Sequence, residues 1–228
     1  MPETPPPPIS EPNGAIYNPR VLRWIYTPVA ITFSHRLAWK VPNRLLHRNH
    51  SNYAGGTHLS VGPGNGYFLS RLPRRTRLRR LHLLDLNPAC LRVAGDRLAE
   101  RFRVYLHHAD ALRGWPLPPA SLDSVDAHMM VHTLPGNSIG DKAVLFAEAA
   151  RVLRPGGAFF GATILASGAG VRHGWLARRL MRLYNSQQNT FSNTGDTAED
   201  LTHVLEEHFT SVDLRVAGCV GVWTAVAR

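Results

Sequence analysis

The stretch that most constrains this chain is 57–69, T-H-L-S-V-G-P-G-N-G-Y-F-L. Leu59 and Val61 close an apolar run that leads into Gly62, Gly64 and Gly66, and Tyr67, Phe68 and Leu69 then open a helical pattern. The reading is a buried strand, a tight glycine turn and a helix start. Glycine suits the turn because unusual φ values are needed there and because a Cβ would keep a ligand away from the backbone. The dinucleotide pattern G-x-G-x-x-G is not met, since Tyr67 stands where its last glycine would be. This argues against NAD and for a ligand with no pyrophosphate to seat on the helix. Alone, the trio also fits a tight strand-to-helix turn that binds nothing.

A chain of 228 residues can bury the core of one α/β domain, and 44% hydrophobic with 18% charged residues suits a globular protein. No apolar run approaches the roughly 18 residues that span a bilayer. The proline-rich N-terminus lacks the basic-then-apolar order of a signal peptide, so no membrane association and a cytoplasmic location are expected. Cys90 and Cys219 are too few and too far apart for a disulfide framework. The net charge of +10 raises the question of nucleic acid. Its excess is arginine, concentrated in Arg71, Arg74, Arg75, Arg77, Arg79 and Arg80. That cluster falls on the side of the sheet away from a ligand crevice and has no interleaved aromatics to stack bases. A solvated rim is expected, and no nucleic-acid partner.

Residues 1–13 read as a disordered proline-rich tail, 14–50 as an N-terminal helical cap or lid rich in aromatics, and 51–228 as the main domain. Within it, strands are expected at 81–86, 104–107, 124–130 and 158–164, with helices at 87–101 and 141–153 between them. Arg154-Pro155-Gly156-Gly157 reads as a combined helix stop and turn. Alternation of strand and helix implies a parallel sheet with right-handed crossovers. A helix at 198–209 is followed by strands at 211–216 and 220–227, whose short Ala217-Gly218-Cys219 link demands an antiparallel hairpin.

Asp85 ends the second strand, nineteen residues after Gly66, where an acidic side chain can accept both hydroxyls of a ribose. It could instead cap the helix opening at Pro88, although Asn87 is better placed for that. Asp110, at the end of the third strand, can accept an adenine amino hydrogen or simply shape a turn. Glycine trio, Asp85, Asp110 and closing hairpin together resemble the class I S-adenosylmethionine-dependent methyltransferases, over about 17–228. The segments R-V-L-R-P-G-G-A-F-F and L-D-S-V-D-A-H-M-M-V-H-T-L-P-G add to the likeness. The chain is also similar to a group of bacterial and fungal small-molecule methyltransferases carrying W-R-C-P, L-L-D-L-N-P, L-x-H-x-L-P-G and Y-N…F-S-N, seen here at 39–42, 83–88, 131–136 and 184–193.

The resemblance implies a Rossmann-like α/β fold: a seven-stranded, mostly parallel sheet of order 3-2-1-4-5-7-6 with strand 7 antiparallel. It implies S-adenosylmethionine as cofactor and S-adenosylhomocysteine as product. The cofactor would be lined by Tyr17, Ser60, Gly62, Pro63, Gly64, Asn65, Gly66, Asp85, Leu86, Asn87, Asp110, Ala111, His128 and Met129. Ser60 is a departure, because the family usually has Asp or Glu two residues before the first glycine. Serine supplies no charge to the cofactor's ammonium, so weaker affinity is expected. The change also leaves room for a non-methylating, cyclase-like or binding descendant of the fold. Lys40 and Val41 replace the Arg and Cys of W-R-C-P.

Methyl transfer is an in-line displacement, so the protein must align a nucleophile and exclude water. An oxygen or nitrogen acceptor must also lose a proton, which a histidine can take near neutral pH. His132 is the candidate for that task, against a purely structural role. Met130, His132, Tyr184, Asn185 and Phe191 are the candidate contacts to a small, partly apolar substrate, with O, N or C as acceptor. The helix at 175–184 could instead face a second copy in a homodimer. Neither a paired-cysteine motif nor a helical histidine pair points to a metal, and none is expected.

Overall fold

The structure is a computed structural model, and it describes residues 37–186 and 190–228. The expected tail, residues 14–36 of the cap and Tyr17 lie outside the described residues.

Helix α1 (Asn43–Tyr53) comes first. It starts after Pro42, whose ring suits a helix entry, and runs across the boundary expected at residue 50. Its buried side chains are Leu46, Asn49 and His50, and it packs on the strands Leu122–His128 and Leu153–Ile164 of the sheet. Then follow β1 (Thr57–Val61), α2 (Tyr67–Ser70), β2 (Arg80–Asp85), α3 (Pro88–Leu98), β3 (Arg103–His108) and β4 (Leu122–His128). The chain continues through α4 (Ala143–Val152), β5 (Leu153–Ile164), α5 (Trp175–Ser186), α6 (Ala198–His208), β6 (Phe209–Ala217) and β7 (Val220–Ala227).

The sheet has seven strands in the order β3-β2-β1-β4-β5-β7-β6. β1 pairs in parallel with β2 and β4, and β7 runs antiparallel to both β5 and β6. The architecture is therefore the α/β, Rossmann-like one anticipated. β1 is buried at every residue because both of its faces are covered. Leu59, Val61, Val125, Ala127 and Phe159 belong to one apolar cluster with residues of α4 and α6. On the opposite face Leu69, Leu81, Leu83, Leu91, Leu98 and Phe160 form a second. The arginines of 71–80 are exposed, as expected for a solvated rim.

The helix expected after the glycine turn has four residues and starts from left-handed Gly66 with no side-chain cap. Three local expectations need correction. β4 ends at His128, not 130, since Met129 takes a positive φ of 55° that turns the chain out of the ladder. β3 ends at His108, so Asp110 lies in the turn beyond it. Arg154-Pro155-Gly156-Gly157 does not precede β5 but lies inside its first turn of pairing, as an irregularity between the Leu122 and Ser124 rungs. Gly156, with φ 79°, lets those residues loop out while Leu153 still pairs.

Gly161 in β5 shows how tight the sheet is. A Cβ there would collide with the Trp223 indole and lie 2.5 Å from the Ala127 carbonyl oxygen. Neither neighbour can yield, one being backbone and the other a fully buried ring. Gly161→Ala should therefore destabilise the protein by about 3 kcal/mol, the upper end for overpacking. Urea unfolding checks this, and an unchanged midpoint would show that the sheet can open there.

Candidate functional site

All four parallel strand ends on the β3-β2-β1-β4 side deliver candidate residues to one edge. After β1, Gly62, Gly64 and Gly66 have φ of 64°, 57° and 70°, a conformation side chains oppose. The turn is tied down by Gly62 N–H donating to Leu84 O (2.8 Å) and Gly66 N–H to Pro63 O (2.9 Å). A Cβ on Gly62 would meet Met130 at 2.9 Å, and one on Gly66 would meet Leu98 of α3 at 2.9 Å. The first glycine thus makes room for the β4 turn and the last for helix packing. Asn65 is buried, and its Oδ1 accepts the Tyr67 N–H.

Asp85 and Asn87 divide their work as anticipated. Asn87 caps α3, its Oδ1 accepting from Ala89 N (2.8 Å), while Asp85 Oδ1 accepts the Asn87 N–H (2.8 Å) and its carboxylate also bonds the Leu86 N–H. Burial pushes Asp85 up to about 6, against the pull of those two amides and of His108. Asp110 accepts the Leu112 N–H at 2.9 Å and has Arg113 Nε 3.6 Å away, so it does shape the turn. Leu86 O takes the His108 ring N–H, and Ala111 O accepts from Trp115 Nε1.

His128, Met129 and Met130 follow at the end of β4. Met129 N–H donates to Ala162 O (2.7 Å), carrying the β4–β5 ladder one step past the strand. His132 sits on a 3₁₀ turn, Val131–Thr133, and is 3% exposed. Its Nδ1 lies 3.3 Å from Thr163 Oγ1 and 3.5 Å from Ile164 N, and its ring meets Phe191 edge-on at 4.5 Å. Phe191 also packs on Tyr184 (4.9 Å) and Trp39 (5.8 Å). Met129, Phe68, Leu180 and Met181 border the same cluster. Tyr184, Phe191 and His132, expected as substrate contacts, are thus gathered with Met129, expected beside the cofactor. Asn185 is employed differently: its Nδ2 donates to Met181 O and Asn193 Oδ1, and its Oδ1 accepts from Asn193 N. It ties the 190–193 loop to α5. The outer side of α5 leaves Trp175 71% exposed.

Two sets of buried polar residues escaped sequence reasoning. Lys142 Nζ, fully buried, bonds both Asp196 carboxylate oxygens (2.9 and 2.8 Å) and Ser192 O (2.7 Å). It fastens the loop that carries Phe191. Burial raises Asp196 and lowers Lys142, each against the attraction of its partner. A signal existed: Lys142 is one of only two lysines in an arginine-rich chain. The second set surrounds Asp126. His58 Nε2 donates to Asp126 Oδ2 (2.8 Å), and His50 and His128 face the other oxygen. Burial alone would raise Asp126, but His50 and the other two imidazoles hold it well below the usual carboxylate range. Burial pushes His128 down to about 4.

That cluster accounts for Ser60. Ser60 is the register partner of Asp126 on the adjacent parallel strand, so the two side chains share a face. An acid at 60 would put a second buried carboxylate beside Asp126, and one of the two would have to stay protonated.

Known proteins share this arrangement. Residues 59–161 match the family model described as a methyltransferase domain. The demethylluteothin O-methyltransferase of Streptomyces thioluteus is 34% identical, over 83% of this chain and 80% of its own. The chain belongs to the class I S-adenosylmethionine-dependent methyltransferases. A physcion biosynthesis cluster O-methyltransferase of Aspergillus chevalieri is likewise 34% identical, over 93% of each chain. The fold alone is shared with the N-methyltransferase NodS of Bradyrhizobium japonicum, solved with S-adenosylhomocysteine, at TM-score 0.57 and 16% identity over 81% of this chain and 84% of that one. Among the described residues no helix of this methyltransferase is long and apolar enough to cross a membrane.

Breaking the Lys142–Asp196 pair should test the substrate side of the site. Lys142→Met leaves Asp196 buried without its partner and should cost about 3–5 kcal/mol. Lys142→Met with Asp196→Leu should recover most of that loss, because burial opposes the charges in the first place. Thermal or urea melts of the three proteins decide it; a double variant as unstable as the single would mean that the ion pair itself is a net stabiliser.

Proposed function

We propose that this methyltransferase moves the methyl group of S-adenosylmethionine to an oxygen, nitrogen or carbon of a small, partly apolar metabolite in specialised metabolism. The observation that carries the acceptor class is the aromatic cluster of Trp39, Tyr184 and Phe191 beside His132, at the carboxyl edge of β4 and β5. Such walls suit a flat or apolar acceptor and exclude water from the displacement. The two relatives named above, both O-methyltransferases by name, favour oxygen among the three atoms.

The cofactor fits on two observations. The three positive-φ glycines leave bare backbone at the end of β1, and Asp85 is a carboxylate raised by burial at the end of β2. When bound, S-adenosylmethionine supplies a methyl group activated on a sulfonium. Gly62, Pro63, Gly64, Asn65 and Gly66 would face its methionine portion, Asp85 and the Leu86–Asn87 backbone its ribose, and Asp110 with Ala111 its adenine. Ser60, buried beneath the loop, contributes no charge, so the loop backbone and the residues after β4 must hold the ammonium. Tyr17 keeps its proposed place as a further contact.

His132 would take the acceptor's proton at Nε2. That requires Nδ1 to carry hydrogen and donate to Thr163 Oγ1 (3.3 Å), giving up the longer bond (3.5 Å) that Nδ1 accepts from the Ile164 N–H. The Ser192 N–H, donating to His132 O (2.9 Å), links the ring's position to the loop that Lys142 and Asn185 hold. Met130 sits between this turn and the glycine loop, against Gly62.

Two measurements test this reading. Asp85 must be ionised to accept two ribose hydroxyls, and its pKa without ligand is about 6. Affinity for S-adenosylhomocysteine should therefore be full above that pH and fall roughly tenfold for each unit below it. Asp85→Asn should flatten the profile and weaken binding by about 1.5–3 kcal/mol at pH 8. Calorimetry reads both, and a flat wild-type profile would remove Asp85 from the ribose. In the second, label from methyl-labelled cofactor should enter a small molecule of a cell extract, and label in RNA or protein would contradict the acceptor class. With an acceptor in hand, His132→Ala should lower kcat by roughly 10²–10⁴-fold with cofactor affinity kept. A change in KM alone would reduce His132 to a positioning role.

A further inference from the structure

Behind the glycine loop, between α1 and the sheet, His50, Asp126 and His128 converge in a closed space. All three are buried, at 2%, 1% and 8% exposure. Phe68 stacks on the His50 ring (5.5 Å, 5° between planes), and Phe160 meets both His50 and His128 with its ring at steep angles. No other ion pair reaches Asp126 among the described residues.

The hydrogens around the carboxylate can be assigned. His58 Nε2 must donate to Asp126 Oδ2, and its Nδ1 then accepts from Ser124 Oγ (2.8 Å), so this neutral ring is satisfied. His50 Nδ1 lies 3.0 Å from Leu46 O, an acceptor, so its hydrogen is on Nδ1. With His50 neutral, the lone pair of Nε2 would face Asp126 Oδ1 and repel it, and either a second proton on His50 or a cation between the two removes that repulsion. His128 aims Nδ1 at the same oxygen, and neither of its ring nitrogens has a hydrogen-bond partner. The two nitrogens stand 3.7 and 3.5 Å from Oδ1, too far for good hydrogen bonds. Ligands of one tetrahedral zinc ion, bound at 2.0–2.1 Å, stand about 3.4 Å apart.

We propose that His50 Nε2, Asp126 Oδ1 and a ring nitrogen of His128 bind a divalent metal ion, zinc by preference. The three ligand atoms all lie within 4.8 Å of one another, so small side-chain rotations close the set. Two imidazoles and a carboxylate suit zinc, with a water molecule completing the tetrahedron in the fourth position. The His50–Leu46 and His58–Asp126 bonds are the outer partners that orient metal ligands. The ion supplies the positive charge that buried Asp126 needs and pins α1 to β4 next to the glycine loop. No sequence motif announces it, because the ligands come from a helix and a strand 76 residues apart or more.

The test is metal content and stability, not activity. The full chain, purified without a histidine tag, is dialysed against zinc sulfate and then metal-free buffer, and its zinc is measured. About one zinc per chain is expected. Zinc at a hundredfold excess over its Kd should raise Tm by about 5–10 °C over chelator-treated protein. His50→Ala and His128→Ala should each lose the ion and the shift, while His107→Ala, on β3, keeps both. Cobalt in place of zinc should give the visible absorption of a tetrahedral site. Wild-type protein that holds no zinc and melts alike with and without chelator overturns the proposal, and Asp126 is then neutralised by a proton shared among the histidines. Zinc retained by both histidine variants overturns it too, as binding elsewhere. If the variants do not fold, the wild-type content and the cobalt spectrum decide alone.

Discussion

β1 lies between β2 and β4 and runs parallel to both, and the rest of the molecule depends on that pairing. From β1 the chain builds outward to β2 and β3, then returns to the other side of β1 for β4 and β5. The loops leaving β1 and β4 therefore diverge, and a crevice opens at the carboxyl edge between them. Gly62, Asp85, Asp110 and His128 stand at this edge because each lies at or just after the end of a strand running the same way. The bond from Gly62 N–H to Leu84 O joins the first two ends, and that from Ala109 N–H to Asp85 O joins the next two. A reversal of any one strand would carry its residues to the far side of the sheet.

Charge is buried on both sides of this crevice. Lys142 and Asp196 are desolvated more than they are attracted, yet they hold the Ser192 carbonyl and, with Asn185, the Phe191 loop. An apolar pair could fill the same space but could not fix which carbonyl it touches. On the other side, Asp126 and its histidines do the same for α1. The two clusters make the substrate loop and the glycine loop adopt one position each. Ser60, in register beside Asp126 on the adjacent strand, keeps a second carboxylate out of that cluster.

Local pattern carried most of the architecture. Alternating strand and helix signals specified the parallel part of the sheet, and the short Ala217-Gly218-Cys219 link specified the hairpin that makes β7 antiparallel. The capping of α3 by Asn87 left Asp85 to the crevice, and this too was legible, because an N-cap acts over two residues. Element ends were less legible. Met129 turns out of β4 through a left-handed φ that no propensity assigns to methionine, and the chain accepts it because the Ala162 carbonyl still receives its N–H. The Pro155-Gly156-Gly157 segment has turn composition, yet the β4 ladder starts before it.

What the sequence determined by itself was the set of segments and the chemistry at their ends: the bare glycine turn, the acid after β2, the histidine after β4. These depend on residues within a few positions of one another, where period and capping act. What only the tertiary structure decided was which buried polar groups meet. Lys142 and Asp196 are 54 residues apart, and His58 and Asp126 are 68 apart. Nothing local to either member names the other. Their meeting depends on strand register, and a shift of one residue would turn Asp126 to the opposite face of the sheet.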